Sequence, residues 1–398
     1  MQTGAVIGDA RRRALRDSID HVSPCVDIVY VIADLLLGGA QKGLLTLVDL
    51  GVVRPERTHL VVLGRGDPSM IEGVCRRGPW GGLDLCDKGP APWRWAVGGW
   101  KLARLLARTR PKMVVLSLEP PNLVGRCLRP FFPRMTFCSF EHSSLYRRRL
   151  YRMLFPLLSP AVDVVLYDSP ATRHGIEPSY SSRARHWIEV PLYVLDPTLP
   201  TKADYRIGAS VQILSVGRLV PAKNQSLLLR IIAELRRRGW PVTCEIVGEG
   251  PLRRELERLR AALGVEGYVH LPGQDTRWQE KAFRFDLYLQ TSEHEGACLT
   301  VLEAMAAGLP IMATAVGEIP RHLAGGAGIA LDSRDPAAIA DVIEALLHDE
   351  TKRAALGRAA RAKVQALYDA QEVRTRLQRT VGKLLGDEMP ATFGGHRA

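Results

Sequence analysis

No stretch of the 398-residue sequence approaches the roughly eighteen consecutive apolar residues that a membrane-spanning helix requires. The first twenty residues hold Arg11, Arg12, Arg13, Asp9, Asp17 and Asp20 and no apolar segment, so no secretory leader is expected. Cysteines number seven, and no two are spaced C-x-x-C. An odd, scattered set argues against a disulfide framework or a structural zinc site and fits a reducing cytoplasm. Aromatic residues are only 6% of the chain, and no nucleic-acid motif accompanies them, so no nucleic-acid partner is expected. There is no Walker A sequence for a phosphate and no D-x-D for a divalent metal.

What remains is ordinary globular composition, 46% hydrophobic and 24% charged, at a length that suits two domains. The net charge of +12 is uneven. Residues 101–152 hold 12 Lys and Arg against only Glu119 and Glu141. Such a face attracts an anionic membrane, nucleic acid or a phosphorylated substrate.

Short β-rich runs alternate with amphipathic stretches, which predicts an α/β chain with parallel sheets. Strands are expected over 26–32, 59–63, 113–118, 135–140 and 162–166, with helices from 41 and over 100–109. Residues 195–206, polar with two prolines, look like a linker. The alternation restarts with strands at 212–216, 243–247, 268–271, 287–290 and 311–314. Helices are expected over 225–237, 252–263, 300–307 and 336–347. A basic helix over 370–385 closes the pattern. This divides the chain into a loose extension (1–24), two Rossmann-like domains (25–195 and 207–368) and a terminal helix (369–386).

Chemistry gathers where strands end, the edge at which open parallel sheets bind ligands. Gly38-Gly39 joins the first strand to the first helix, where adjacent glycines can reach φ > 0 and the helix offers free N–H groups to an anion. A plain tight turn explains those two glycines equally well. In the second half, Gly217 ends a strand and is followed by Arg218 and Lys223, two cations suited to a diphosphate. Gly248-Glu249-Gly250 permits close backbone approach, although such a turn is common. Glu295-Gly296-Ala297-Cys298-Leu299 leads into a helix carrying Glu303, with Leu299, Leu302 and Ala306 as its inward stripe. Gly308 and Pro310 stop that helix.

Together these segments resemble the retaining GT-B glycosyltransferases of family 4, from about residue 28 to the final helix. The most specific part is the E-x7-E segment, Glu295 to Glu303. The G-R-L-x-x-x-K-N run at 217–224, the G-x-G at 248–250 and the Gly-Gly-Ala-Gln at 38–41 follow the family's order. The resemblance implies two Rossmann-like domains facing across a cleft, the last helix crossing back to the first. It implies a nucleoside-diphosphate sugar donor, most commonly a UDP sugar, and no metal or other cofactor. Arg218 and Lys223 would stabilise the departing diphosphate, Glu295 would contact the donor sugar, and Glu303 the ribose. His142, after a strand of the first half, would lie near the reacting sugar. Two departures bear on specificity: Ala297-Cys298 replaces a common aromatic or proline, and residues 316–321 replace a second glycine and trailing acid.

Residues 143–157 are expected to be helical until Pro156, with Tyr146, Leu150, Met153 and Leu154 on one face. Arg147, Arg148, Arg149 and Arg152 would then meet anionic headgroups, with Phe155 or Tyr151 at the boundary. A core-packed helix with a solvated arginine face is the plainer alternative. A lipid-linked or polysaccharide acceptor follows from the family resemblance, with the protein cytoplasmic and peripheral on the inner membrane face. Other readings are a sugar-nucleotide epimerase of the same architecture, a natural-product glycosyltransferase, and a basic nucleic-acid-binding protein.

Overall fold

The computed structural model describes residues 26–36, 38–85, 91–143, 145–146, 148–180 and 186–385. The expected loose ends at 1–24 and beyond 386 lie outside these residues, as does Arg147. Two compact units emerge: residues up to Leu192 with Gln371 onward, and Tyr193–Ala370.

In the first unit the order is β1 (Ile28–Ile32), α1 (Gly39–Asp49), β2 (Thr58–Val62), α2 (Pro68–Arg76), β3 (Gly82–Leu85) and α3 (Ala91–Thr109). There follow β4 (Met113–Ser117), α4 (Glu119–Leu128), β5 (Thr136–Glu141), α5 (Arg149–Leu158), β6 (Val164–Tyr167), α6 (Pro170–Ile176) and β7 (His186–Glu189). All strands run parallel in the order β3-β2-β1-β4-β5-β6-β7. Strands such as Ile-Val-Tyr-Val-Ile are apolar on both faces because helices cover both. One face packs Val29, Val31, Val114 and Leu116 against Leu102, Leu105 and Leu106 of α3.

The second unit runs β8 (Val211–Val216), α7 (Gln225–Arg237), β9 (Val242–Val247), α8 (Arg253–Ala262), β10 (Val269–Gly273), α9 (Gln279–Ala282) and β11 (Leu287–Gln290). It continues with α10 (Leu299–Ala306), β12 (Ile311–Thr314), α11 (Ile319–Leu323), β13 (Ile329–Leu331), α12 (Pro336–Leu347) and α13 (Glu350–Leu367). Its six strands are also parallel, ordered β10-β9-β8-β11-β12-β13. Helix starts carry their own caps: Asn224, Asp335 and Asp349 accept from the amides of Leu227, Ala338 and Lys352. Leu228, Leu229, Ile231, Ile232 and Leu235 on α7 are fully buried against β8 and β9. Each such side chain contributes about 2 kcal/mol.

The proline-containing segment expected to be a linker is packed down. Lys202 pairs with Asp286, Tyr205 Oη donates to the Gly308 carbonyl at 2.9 Å, and Arg353 donates to the Tyr205 carbonyl. A final helix, α14 (Ala370–Leu385), belongs to the first unit apart from its first residue. Leu377 and Thr380 of α14 line an apolar cavity of about 40 Å³ with Tyr30, Leu47, Val115 and Phe140.

Two expectations need correction here. The helix expected over 143–157 begins only at Arg149 and passes through Pro156 to Leu158. Its inward side is Tyr151 and Phe155, packed against each other with the buried Arg126 over the Phe155 ring, so neither aromatic lies at a surface boundary. Leu150, Met153 and Leu157 face outward instead. Likewise α10 has no single inward stripe: Val301 through Ala306 are all buried, whereas Leu299 is only half-buried.

Candidate functional site

In the second unit β8 and β11 are neighbours, and the strand order reverses between them. Loops leaving two such strands diverge and open a crevice at the carboxyl edge. Here that geometry brings together Lys223 and Glu295, 72 positions apart, with Nζ 2.6 Å from Oε1. Burial opposes the charge on Lys223, but the Glu295 carboxylate more than offsets it and holds the pKa above the ordinary lysine value. The ammonium is therefore charged at neutral pH. Glu295 Oε1 also accepts from Ser292 Oγ at 2.5 Å and Gln290 Nε2 at 3.4 Å. Arg218 is close enough to act electrostatically on Lys223, its side chain is exposed, and no carboxylate pairs with it among the described residues.

The loops are stitched by backbone contacts. The amide of Glu293 donates to Ala222 O at 2.9 Å, and Thr291 Oγ1 to Asn224 O at 2.9 Å. The glycines of the G-x-G turn serve that interlock. A Cβ on Gly248, whose φ is +150°, would sit 2.0 Å from the Gly217 carbonyl oxygen. One on Gly250 would meet Leu219 O at 2.4 Å. Glu249 is exposed and paired with Arg253.

Glu303, on the second turn of α10, is buried rather than solvent-facing, and Gln279 of α9 donates to its Oε1 at 3.0 Å. Cys298 caps α10 with a left-handed φ of +48°, and burial together with Glu295 raises its thiol pKa, keeping it neutral. Behind the loop, Gly317 packs where a Cβ would meet Glu295 O at 2.5 Å. Glu318 N donates to Gly296 O, and His322 Nε2–H to Ala297 O at 2.8 Å. Burial lowers the His322 pKa, so the imidazole is neutral. The divergent 316–321 segment is thus the clamp on residues 295–297.

In the first unit, Gly38 has φ −166°, extended backbone that any residue adopts. The left-handed torsion expected of that glycine pair is absent at both positions. Gln41 Nε2 ties the turn to Asp34 Oδ1 at 2.8 Å. His142 follows β5 and lies 2.9 Å from Ser117 Oγ through Nε2. Arg148, Arg149 and Arg152 are exposed. Gln279, Gln290, Ser292, Ser117 and Asp168 escaped sequence reasoning. A polar run at the end of a strand, Gln290-Thr291-Ser292, was the one signal available.

With this geometry in place, kinship can be stated. The family described as "Glycosyl transferases group 1" matches residues 202–363. Those residues are a group 1 glycosyltransferase domain. A GDP-mannose-dependent alpha-(1-6)-phosphatidylinositol monomannoside mannosyltransferase of Mycolicibacterium smegmatis is 31% identical over half of this chain and 56% of its own length. A D-inositol 3-phosphate glycosyltransferase of Arthrobacter sp. is 31% identical over 43% of this chain and 43% of that protein. The chain thus spans about half the length of these curated relatives. Among solved structures, Anabaena HepE in complex with UDP and glucose superimposes with a TM-score of 0.74 at 17% identity, covering 89% of this chain and 99% of HepE. Sucrose-phosphate synthase of Thermosynechococcus elongatus gives 0.72 at 19% identity, covering 90% and 99%. At such identities the likeness shows the fold, the paired Rossmann-like units of GT-B glycosyltransferases.

Proposed function

We propose that the chain is a retaining glycosyltransferase that moves a hexosyl group from a nucleoside-diphosphate sugar to a hydroxyl of a lipid-linked or glycan acceptor. The observation that carries this is the charged Lys223 paired with Glu295 beside Arg218, at the switch point of the group 1 domain. In the reaction the bond from anomeric carbon to phosphate oxygen breaks and one to the acceptor oxygen forms, while the acceptor hydroxyl's proton passes to the departing diphosphate. Negative charge builds on the departing diphosphate. Preorganised cations in a partly dry site stabilise that charge most as it develops. Lys223 and Arg218 take this role, Glu295 orients the sugar hydroxyls, and Glu303, fixed by Gln279, meets the ribose. His142 stands beside the transferred sugar. Two cations at the diphosphate support turnover without a divalent metal.

The test is a donor screen with UDP-glucose, UDP-N-acetylglucosamine and GDP-mannose, reading released nucleoside diphosphate, with and without EDTA. Relatives named for GDP-mannose and structures solved with UDP justify offering both bases. An altered sugar nucleotide with no diphosphate released would instead mark an epimerase. Inversion at the anomeric carbon would remove the retaining assignment.

The acceptor side of the proposal includes an anionic membrane surface on the cytoplasmic face. Helix α3 contains no acidic residue and exposes Trp93, Trp100, Arg104 and Arg108. Arg148, Arg149 and Arg152 flank the outward Leu150, Met153 and Leu157 of α5, and α4 packs against both helices. Exposed Trp and aliphatic side chains among arginines suit the headgroup boundary of anionic lipid. Flotation with phosphatidylglycerol vesicles should recover the protein, and Trp100→Ala with Met153→Ser should weaken recovery. Equal recovery with neutral vesicles, or none with anionic ones, would reject this part.

A further inference from the structure

Three adjacent strands of the first unit end in polar residues that meet. β4 ends in Ser117, His142 follows β5, and Asp168 follows β6. His142 Nε2 is 2.9 Å from Ser117 Oγ, and its Nδ1 is 3.7 Å from Asp168 Oδ2. The imidazole and carboxylate side chains are each only 6% exposed, and among the described residues Nδ1 has no hydrogen-bond partner. The other oxygen of Asp168 accepts from Thr172 Oγ1 at 2.7 Å, which anchors it to the first turn of α6. Phe140 supports the imidazole face at 4.2 Å between centroids. Beside Ser117, Leu118 holds a φ of +74° at the turn into α4, a torsion that a leucine adopts only under constraint from its surroundings.

We infer that Asp168 is the positioning residue of His142. A carboxylate that close to Nδ1 repels a lone pair and attracts an N–H, so it keeps the proton on Nδ1 and fixes the ring's orientation. The Nε2 lone pair is then the acceptor of Ser117 O–H. Only the activity arm of the test below depends on His142 standing beside the transferred sugar; the spectroscopic arm does not.

The experiment is nitrogen-15 NMR of the full chain labelled at histidine, with His142 identified by the signal lost in His142→Gln. The wild type should show the Nδ1–H tautomer. In Asp168→Asn the amide can donate to Nδ1, and the signal should move to the Nε2–H tautomer. Thr172→Val, which only loosens Asp168, should give a mixture, and Asp168→Glu should restore Nδ1–H if Asp168→Asn fails to fold. In turnover, Asp168→Asn should lower kcat about tenfold to hundredfold with donor KM within about twofold. It should add nothing on top of His142→Gln. An Nε2–H tautomer in the wild type, or an unchanged tautomer in Asp168→Asn, overturns the assignment. A tautomer change with full turnover in His142→Gln would leave the pair standing and remove His142 from the transfer site.

Discussion

The two units share a parallel sheet and a strand order that reverses once, yet they build their carboxyl edges differently. In the second unit the edge is backbone locked to backbone, with glycines where any side chain would collide, around a part-buried ion pair. In the first unit it is side chains locked to side chains: Arg126 with Glu141 and Tyr180, and His142 with Ser117 and Asp168. A backbone lock fixes a charge in place and suits the grip of an anion. A side-chain lock sets protonation and ring orientation. The same topology therefore carries two kinds of edge, one that holds a charge in place and one that orients an imidazole.

The largest expected effect tests the charge. Lys223→Ala should cut diphosphate release at least a hundredfold, about 3 kcal/mol of transition-state stabilisation, in single-substrate kinetics. Unchanged turnover in a folded variant would erase the contrast. A second test sets one glycine against the other. Gly248→Ala should destabilise the second unit by about 3 kcal/mol in urea titration, because both torsion and the Gly217 carbonyl forbid a Cβ. Gly38→Ala should change stability by under about 1 kcal/mol, since its torsion is ordinary and only the movable Gln41 amide stands in the way. Equal losses would mean the first-unit turn is as constrained as the second.

Smaller effects sharpen the picture. Gln279→Ala should raise donor KM about threefold to tenfold and leave kcat nearly unchanged, because it removes one orienting bond from Glu303. The weakest signal is in pH. Lys223 has a raised pKa, so its charge and the stability of its pair are complete below the ordinary lysine value and lost only above it. Turnover should show no fall attributable to Lys223 up to about pH 9.

Much of this was legible in the sequence. Central strands are buried on both faces, so their apolar runs stand out, and 225–237, 287–290, 311–314 and 336–347 coincide with observed elements. β3, β7 and β13 went unseen because edge strands are short and mixed, as in Gly82-Leu83-Asp84-Leu85 and His186-Trp187-Ile188-Glu189. Lys223 and Glu295 were readable because a motif carries them, and the fold brings them into contact. Asp168 and Gln279 were not, since each is one polar residue whose meaning depends on a neighbour distant in sequence. The outward face of α5 was misjudged for a related reason. Its apolar residues occupy more than one side, and the side that turns inward is the one that meets Arg126, Val162, Val165 and Ile176.

The chain's return to its starting unit has a practical consequence. Tyr30 and Leu47 share a cavity wall with Leu377 and Thr380, so segments far apart in the sequence complete one apolar layer. A nascent chain stalled before α14 would carry a finished second half beside an open-faced first half. Fragments cut for expression at 369 inherit that defect. Any fragment that stops there should be judged by its solubility before its activity.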